Sequence, residues 1–204
     1  MILPKETPQQ LEIIITNKYP TAFDAYKKSA HISAQLLPYQ ALAIYALTRR
    51  FNVEGAHILE IGTAAGYSAS LMAQAAPEAK ITTLNPRDWE VITARLNLAP
   101  WPNVIAIEAK SWDYLETYNA PELDMVFVDG DHNRIFRDMP WFNLLKVGGL
   151  MLFHDYSEVS CPSVFKTVRN FMLELKRSLD VEIIDSDFIG MAGIVRRDGE
   201  TWSR

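Results

Sequence analysis

Carboxylates and imidazoles gather at two places in the second half of the chain. Leu123 to His132 reads LDMVFVDGDH, and Gly148 to Tyr156 reads GGLMLFHDY. Each is an apolar run that ends in acid and histidine. Two carboxylates facing one site repel unless a proton or a cation stands between them, and a hard cation such as Mg²⁺ takes oxygen ligands. A histidine that titrates near neutrality can accept the proton of a hydroxyl group during a transfer reaction. His132, just after Asp129 and Asp131, is the candidate base. Neighbouring strand residues point to opposite faces, so with Asp155 facing the site, His154 is expected to pack beside the strand end. His31 and His57 have no such neighbours and read as structural or surface residues.

A third segment precedes these two. Ile58 to Ala69 reads ILEIGTAAGYSA, an apolar run followed by a turn that Gly62 and Gly66 allow to be tight. A dinucleotide fingerprint, G-x-G-x-x-G, would need glycine at positions 64 and 67, where the chain has Ala64 and Tyr67. In an open parallel sheet ligands bind beyond the carboxyl ends of the strands. The two acidic clusters are therefore expected to converge on the mouth opened by Gly62.

The spacing of Glu60, Gly62 and Gly66 resembles the first motif of the class I S-adenosylmethionine (SAM)-dependent methyltransferases. The GTAAGYSA ending is most similar to the small-molecule O-methyltransferases among them. LDMVFVDGDH and GGLMLFHDY resemble the fourth and fifth strands of that family, and the resemblance runs from about Pro38 to the C-terminus. It implies SAM as cofactor, with Glu60, Gly62, Thr63 and Ser68 around its amino-acid tail and Gly66 in the same turn. Asn85 stands where the family places Asp or Glu for the ribose hydroxyls; an amide accepts through one oxygen and carries no charge. Ala109-Lys110-Ser111 matches the segment beside the adenine, which makes Ser111 a cofactor residue and leaves Lys110 a solvated side chain. Asp129 corresponds to the first aspartate of a VDAD-like motif, which gives it cofactor-binding, catalytic and metal-ligating roles. Asp155 corresponds to a second metal ligand, and Tyr156 stands where a third, asparagine, is expected. The activity implied is methyl transfer to a hydroxyl of a small-molecule acceptor, with Asp129 and His132 catalytic and Mg²⁺ as the assisting ion. A non-catalytic SAM- or ligand-binding protein on the same scaffold is the competing reading, motivated by Asn85 and Tyr156. An NAD-dependent oxidoreductase is disfavoured by Ala64 and Tyr67.

The elements that must position these residues follow from pattern and punctuation. Thr7-Pro8-Gln9-Gln10 reads as a capping-box start to a helix that Tyr19-Pro20 ends. A polar stretch with Lys27 and Lys28 follows, then a helix from Pro38 to Phe51 with Leu42, Tyr45 and Ala46 on one face. From His57 onward strands and helices alternate, the mark of a parallel α/β sheet. Strands are expected over 57–61, 80–84, 104–108, 123–128 and 150–153, and helices over 67–76, 88–98, 134–145 and 162–178. Val181 to Ile184 and Met191 to Val195 read as a closing hairpin joined by a loop with Gly190. The expected architecture is a Rossmann-like, doubly wound α/β sheet of seven strands, mostly parallel with an antiparallel last strand; the order 3-2-1-4-5-7-6 comes from the family resemblance. Residues 1–56 form a helical lead-in or cap and 57–204 the SAM-binding domain, within one compact unit.

A length of 204 residues with 49% apolar composition suits a single core. The net charge of −5 argues against a nucleic-acid or anionic-membrane partner, which would need a basic face. Cys161 is the single cysteine, so no intramolecular disulfide forms, and a reducing, cytoplasmic home is expected. Neither a signal peptide nor a membrane span is read in the chain, and Cys161 reads as a small residue near a helix start. Trp89, Trp101, Trp112 and Trp141 read as packing residues, and none is assigned to the site. The expected partners are a small-molecule acceptor and, for the quaternary state, a homodimer.

Overall fold

The computed structural model describes residues 8–34, 36–183 and 190–203. Three helices lead in: α1 (Pro8–Lys18), α2 (Thr21–Ser29) and α3 (Pro38–Thr48), the last continued by a 3₁₀ turn over Arg49–Phe51. The threonine expected to cap α1 lies outside the described residues. α2 occupies the stretch read as polar. Its buried side is Ala22, Ala25 and Ser29, a stripe too small to register as hydrophobic patterning. In α3 every residue from Tyr39 to Thr48 is buried, on all faces of the helix rather than one. A helix apolar all round must be covered all round, and α3 packs against α1, α2 and α4.

The sheet has seven strands in the order β3-β2-β1-β4-β5-β7-β6. β1 (His57–Ile61), β2 (Lys80–Asn85), β3 (Val104–Glu108), β4 (Leu123–Val128) and β5 (Leu145–Tyr156) run parallel. β7 (Gly190–Val195) pairs antiparallel with both β5 and β6 (Val181–Ile183). Helices α4 (Tyr67–Ala75), α5 (Asp88–Leu98), α6 (Ser111–Thr117) and α7 (Pro162–Leu175) make the crossovers. The expected hairpin loop, with Ile184, falls in residues 184–189, outside those described.

Alternation along the central strands divides the interior into two cores, because both faces of a parallel sheet are covered. Ile58, Met125, Phe127, Leu150 and Leu152 face the lead-in helices and α4. Leu59, Val126, Val128, Met151 and Phe153 face the opposite way, toward Trp141, Phe142 and Phe171. Three departures from expectation bear on the site. The helix read over 134–145 is two 3₁₀ turns, His132–Arg137 and Met139–Leu144, meeting at Asp138 ahead of Pro140. α6 was not foreseen, and β5 runs twelve residues to end at Asp155 and Tyr156. No helix among the described residues is long and apolar enough to cross a membrane.

Candidate active site

The carboxyl ends of β1, β2 and β4 are stitched together by the backbone. Asp129 N–H donates to Ile61 O at 2.8 Å, and the N–H groups of Gly62 and Thr63 both donate to Leu84 O, at 2.9 and 3.2 Å. Gly62, at φ +107, leaves no room for a side chain: an added Cβ would stand 2.0 Å from the carbonyl oxygen of Asp129. The approach that demands glycine is thus strand to strand, not only chain to ligand. Above this floor opens a cleft of about 1270 Å³.

Gly62, Thr63, Ser68, Asn85, Ser111, Asp129, His132 and Asp155 all line the cleft. Two residues expected to touch the cofactor do not line it. Gly66 supplies the left-handed turn before α4, at φ +92. Glu60 is fully buried behind the wall, where Ser68 Oγ and Thr83 Oγ1 both donate to its carboxylate. Burial pushes its pKa up to about 8, against the pull of those two hydroxyls, and Asp129 adds to the rise. Glu60 therefore sets the orientation of Ser68 and, through the 2.6 Å contact of Thr83 with Thr63, of the turn itself.

At the β2 end, Asn85 is buried and its Oδ1 accepts from Arg87 N–H at 2.9 Å. The amide group that remains is a donor where the resembled family presents acceptors. Beyond β3, Ser111 Oγ donates to Asp138, whose pKa burial pushes up to about 6. Trp89 and Trp112 line the cleft, whereas Trp101 and Trp141 are buried in the cores. Lys110 also lines the cleft, and its ammonium lies 6.0 Å from the Trp112 ring, which has the Arg137 guanidinium at 4.8 Å.

The acidic end is built differently from expectation. Asp155 has φ +57, a left-handed conformation uncommon outside glycine, and it breaks the strand's alternation. His154 and Asp155 consequently face the same cleft, and the expectation that His154 packs away from the site is corrected. His154 Nδ1 stands 3.3 Å from Asp129 Oδ1 and 3.1 Å from Asp155 Oδ2. These are ion-pair contacts off the N–H axis rather than hydrogen bonds, and Nε2 has no hydrogen-bond partner among the described residues. Burial works to lower the His154 pKa, but the two carboxylates outweigh it and hold the ring protonated. His132 Nε2 lies 2.5 Å from Asp155 Oδ2, a contact that raises the His132 pKa against burial. Burial would lift Asp155, yet the two imidazoles hold it well below the usual carboxylate range. Tyr156 is outside the cleft, packed on Phe165 with ring centroids 5.0 Å apart.

The sheet is Rossmann-like with an antiparallel β7, and its cleft lies over the carboxyl ends of β1, β2 and β4, where open α/β sheets bind ligands. Residues 59–156 match the model of a methyltransferase domain. Solved structures similar over nearly the whole chain include the S-adenosylhomocysteine (SAH)-bound methyltransferase PaMTH1 of Podospora anserina, at 16% identity, covering 97% of this chain and 98% of that one, TM-score 0.70. TomG, an O-methyltransferase of Streptomyces achromogenes involved in tomaymycin synthesis and bound to SAM, is 20% identical, with 91% and 96% covered and a TM-score of 0.65. The SAH-bound O-methyltransferase of Bacillus cereus is 18% identical, with 92% and 97% covered and a TM-score of 0.62. No curated protein matches the sequence. Residues 59–156 thus resemble a methyltransferase domain, and the solved structures share the fold of the chain.

Proposed function

We propose that the chain is a SAM-dependent methyltransferase acting on a hydroxyl of a small-molecule acceptor. One observation carries this reading: Asp129, His132, His154 and Asp155 converge at one cleft, which the turn after β1 and the ends of β2 and β3 also bound. The amino-acid tail of SAM would lie along Gly62–Ser68, its ribose near Asn85 and its adenine beside Ser111. SAM and SAH occupy the similar structures named above, which supports this placement.

The acceptor oxygen attacks the methyl carbon as the carbon–sulfur bond breaks, with inversion, and SAH leaves with both bonding electrons on sulfur. The hydroxyl proton passes to His132. Its Nε2 is engaged by Asp155, which steadies the ring and favours the imidazolium that forms, so Nδ1 is the basic atom. Asp129 and Asp155 give this end of the cleft a negative field that suits the cationic sulfonium. Oxygens of Asp129 and Asp155 and a nitrogen of His154 lie within 4.8 Å of one another, a set that fits a cation once His154 releases its proton. A divalent ion such as Mg²⁺ held by Asp129 and Asp155 would make the acceptor oxygen more nucleophilic.

Incubation with methyl-labelled SAM and a panel of phenolic, catecholic and sugar hydroxyls tests the assignment. Labelled product and SAH should form in equal amounts with at least one acceptor class. Tight SAH binding with no transfer to any acceptor would instead identify a non-catalytic binding protein.

A further inference from the structure

The cleft carries a second donor set, of softer chemistry than a pair of carboxylates. Cys161 caps the start of α7, and its Sγ lies 3.9 Å from His132 Nδ1. His132 Nε2 is in turn 2.5 Å from Asp155 Oδ2. One ligand atom from each of the three residues falls within 4.8 Å of the other two. Each is held by a different part of the frame: Asp155 by the end of β5, His132 by the 3₁₀ turn after β4, and Cys161 by a bridge to Ser157 (N–H to O, 3.1 Å). Beside them His154 is 6% exposed and keeps a ring nitrogen without a hydrogen-bond partner among the described residues.

Thiolate, imidazole and carboxylate together are ligands for a borderline-soft ion, whereas Mg²⁺ gains nothing from sulfur. We propose that Cys161, His132 and Asp155 form a binding site for a thiophilic divalent ion of the Zn²⁺ class, four-coordinate, with its last position open to the cleft. With bonds of about 2.0 Å to nitrogen and oxygen and about 2.3 Å to sulfur, ligand atoms of a tetrahedral zinc stand roughly 3.3–3.6 Å apart. The Cys161 contact is made by His132 Nδ1 and the Asp155 contact by Nε2, so an ion that takes one ring nitrogen requires the imidazole, 40% exposed to solvent, to turn as the three ligand atoms close from within 4.8 Å. On ligation the thiol proton is released to solvent, and Cys161, whose pKa burial and the nearby Asp155 raise, is held as thiolate by the ion. An ion bound in this way occupies His132 and so opposes methyl transfer; that consequence rests on the proposed activity, but the binding itself does not.

Cobalt(II) titrated into the chelator-treated full chain tests the site without any cofactor or acceptor. The expected result is one ion per chain, with a thiolate-to-cobalt charge-transfer band in the near ultraviolet and the intense visible bands of a four-coordinate ion. Zn²⁺ should abolish both, and excess Mg²⁺ should leave them unchanged. Cys161→Ser should remove the charge-transfer band, and His132→Ala should weaken binding by about 10-fold or more. No cobalt binding, a weak six-coordinate spectrum, displacement by Mg²⁺, or a charge-transfer band that survives in Cys161→Ser would each overturn the proposal. SAH binding, measured separately, would be untouched by that failure.

Discussion

Asp155 decides the character of the site. Because its backbone is left-handed, two consecutive side chains face one cleft, and the positive charge of His154 falls between two carboxylates. Nothing in the letters HDY signals this turn, so strand alternation sends His154 the wrong way. Gly62 and Asp129 line the cleft as expected, because a glycine turn and a strand-end acid constrain the chain locally, whereas Glu60 lies behind its wall. At Asn85 the consequence is open to measurement. Arg87 N–H holds one oxygen, and Asn85→Asp would leave a second, charged oxygen for the ribose, so SAH should bind about 10-fold more tightly. Unchanged or weaker binding would show that the ribose is held elsewhere. Removing the proposed base, in His132→Ala, should lower kcat by about 100-fold or more while SAH affinity stays within a few-fold. Glu60 makes a prediction about pH. Its folded pKa, about 8, is raised above the unfolded value, so the folded state binds the extra proton and stability falls as pH rises from about 4.5 to 8. Glu60→Gln should therefore raise the melting temperature by a few degrees at pH 8 and by less at pH 5. An equal change at both would mean that Glu60 is ionised in the fold.

At the scale of elements, hydrophobic period and breakers located each described strand, since runs such as LDMVFV and MLF have strand length between breakers. The elements that escaped are those whose buried side is small or whose hydrogen bonding is irregular. α2 buries alanine and serine, and the region after β4 is 3₁₀ because Asp138 and Pro140 interrupt any longer helix. The end of α7 is fixed by charge. Arg177, nearly buried, pairs with Asp180 and Glu200 at 2.6 Å each, and it also donates to Val195 O at 2.6 Å. Breaking such a cluster from one side leaves carboxylates uncompensated, so Arg177→Met should cost about 3 kcal/mol in urea unfolding. Asp180 adds a pH signature. Burial would raise its pKa, but Arg177 and the Val195 N–H outweigh this and lower it. The unfolded chain then takes up the proton first on acidification, and the stabilisation, complete above about pH 4, is lost as pH falls through the lower folded value. The difference between wild type and Arg177→Met should shrink over that window; a constant difference would remove the ion pair from the account.

Across the whole molecule, the lead-in and the sheet share one core. Leu42, Ile44 and Leu47 of α3 pack in the same cluster as Ile58, Met125 and Phe127, and Ser33, Ala34 and Leu36 reach the cleft. The N-terminal segment thus borders the cavity proposed to hold the acceptor, and its small and apolar side chains explain why the acceptor was not readable from motifs. Strand order was accessible only through resemblance, because periodicity reveals strands but not their neighbours. The central claim is that this cleft holds a SAM-type cofactor. Calorimetric titration of the full chain with SAH, and in parallel with NAD, tests it most directly. The account predicts saturable binding of SAH at one site per chain, tightened in Asn85→Asp, and no heat with NAD. Absence of SAH binding, or a preference for NAD, would contradict it.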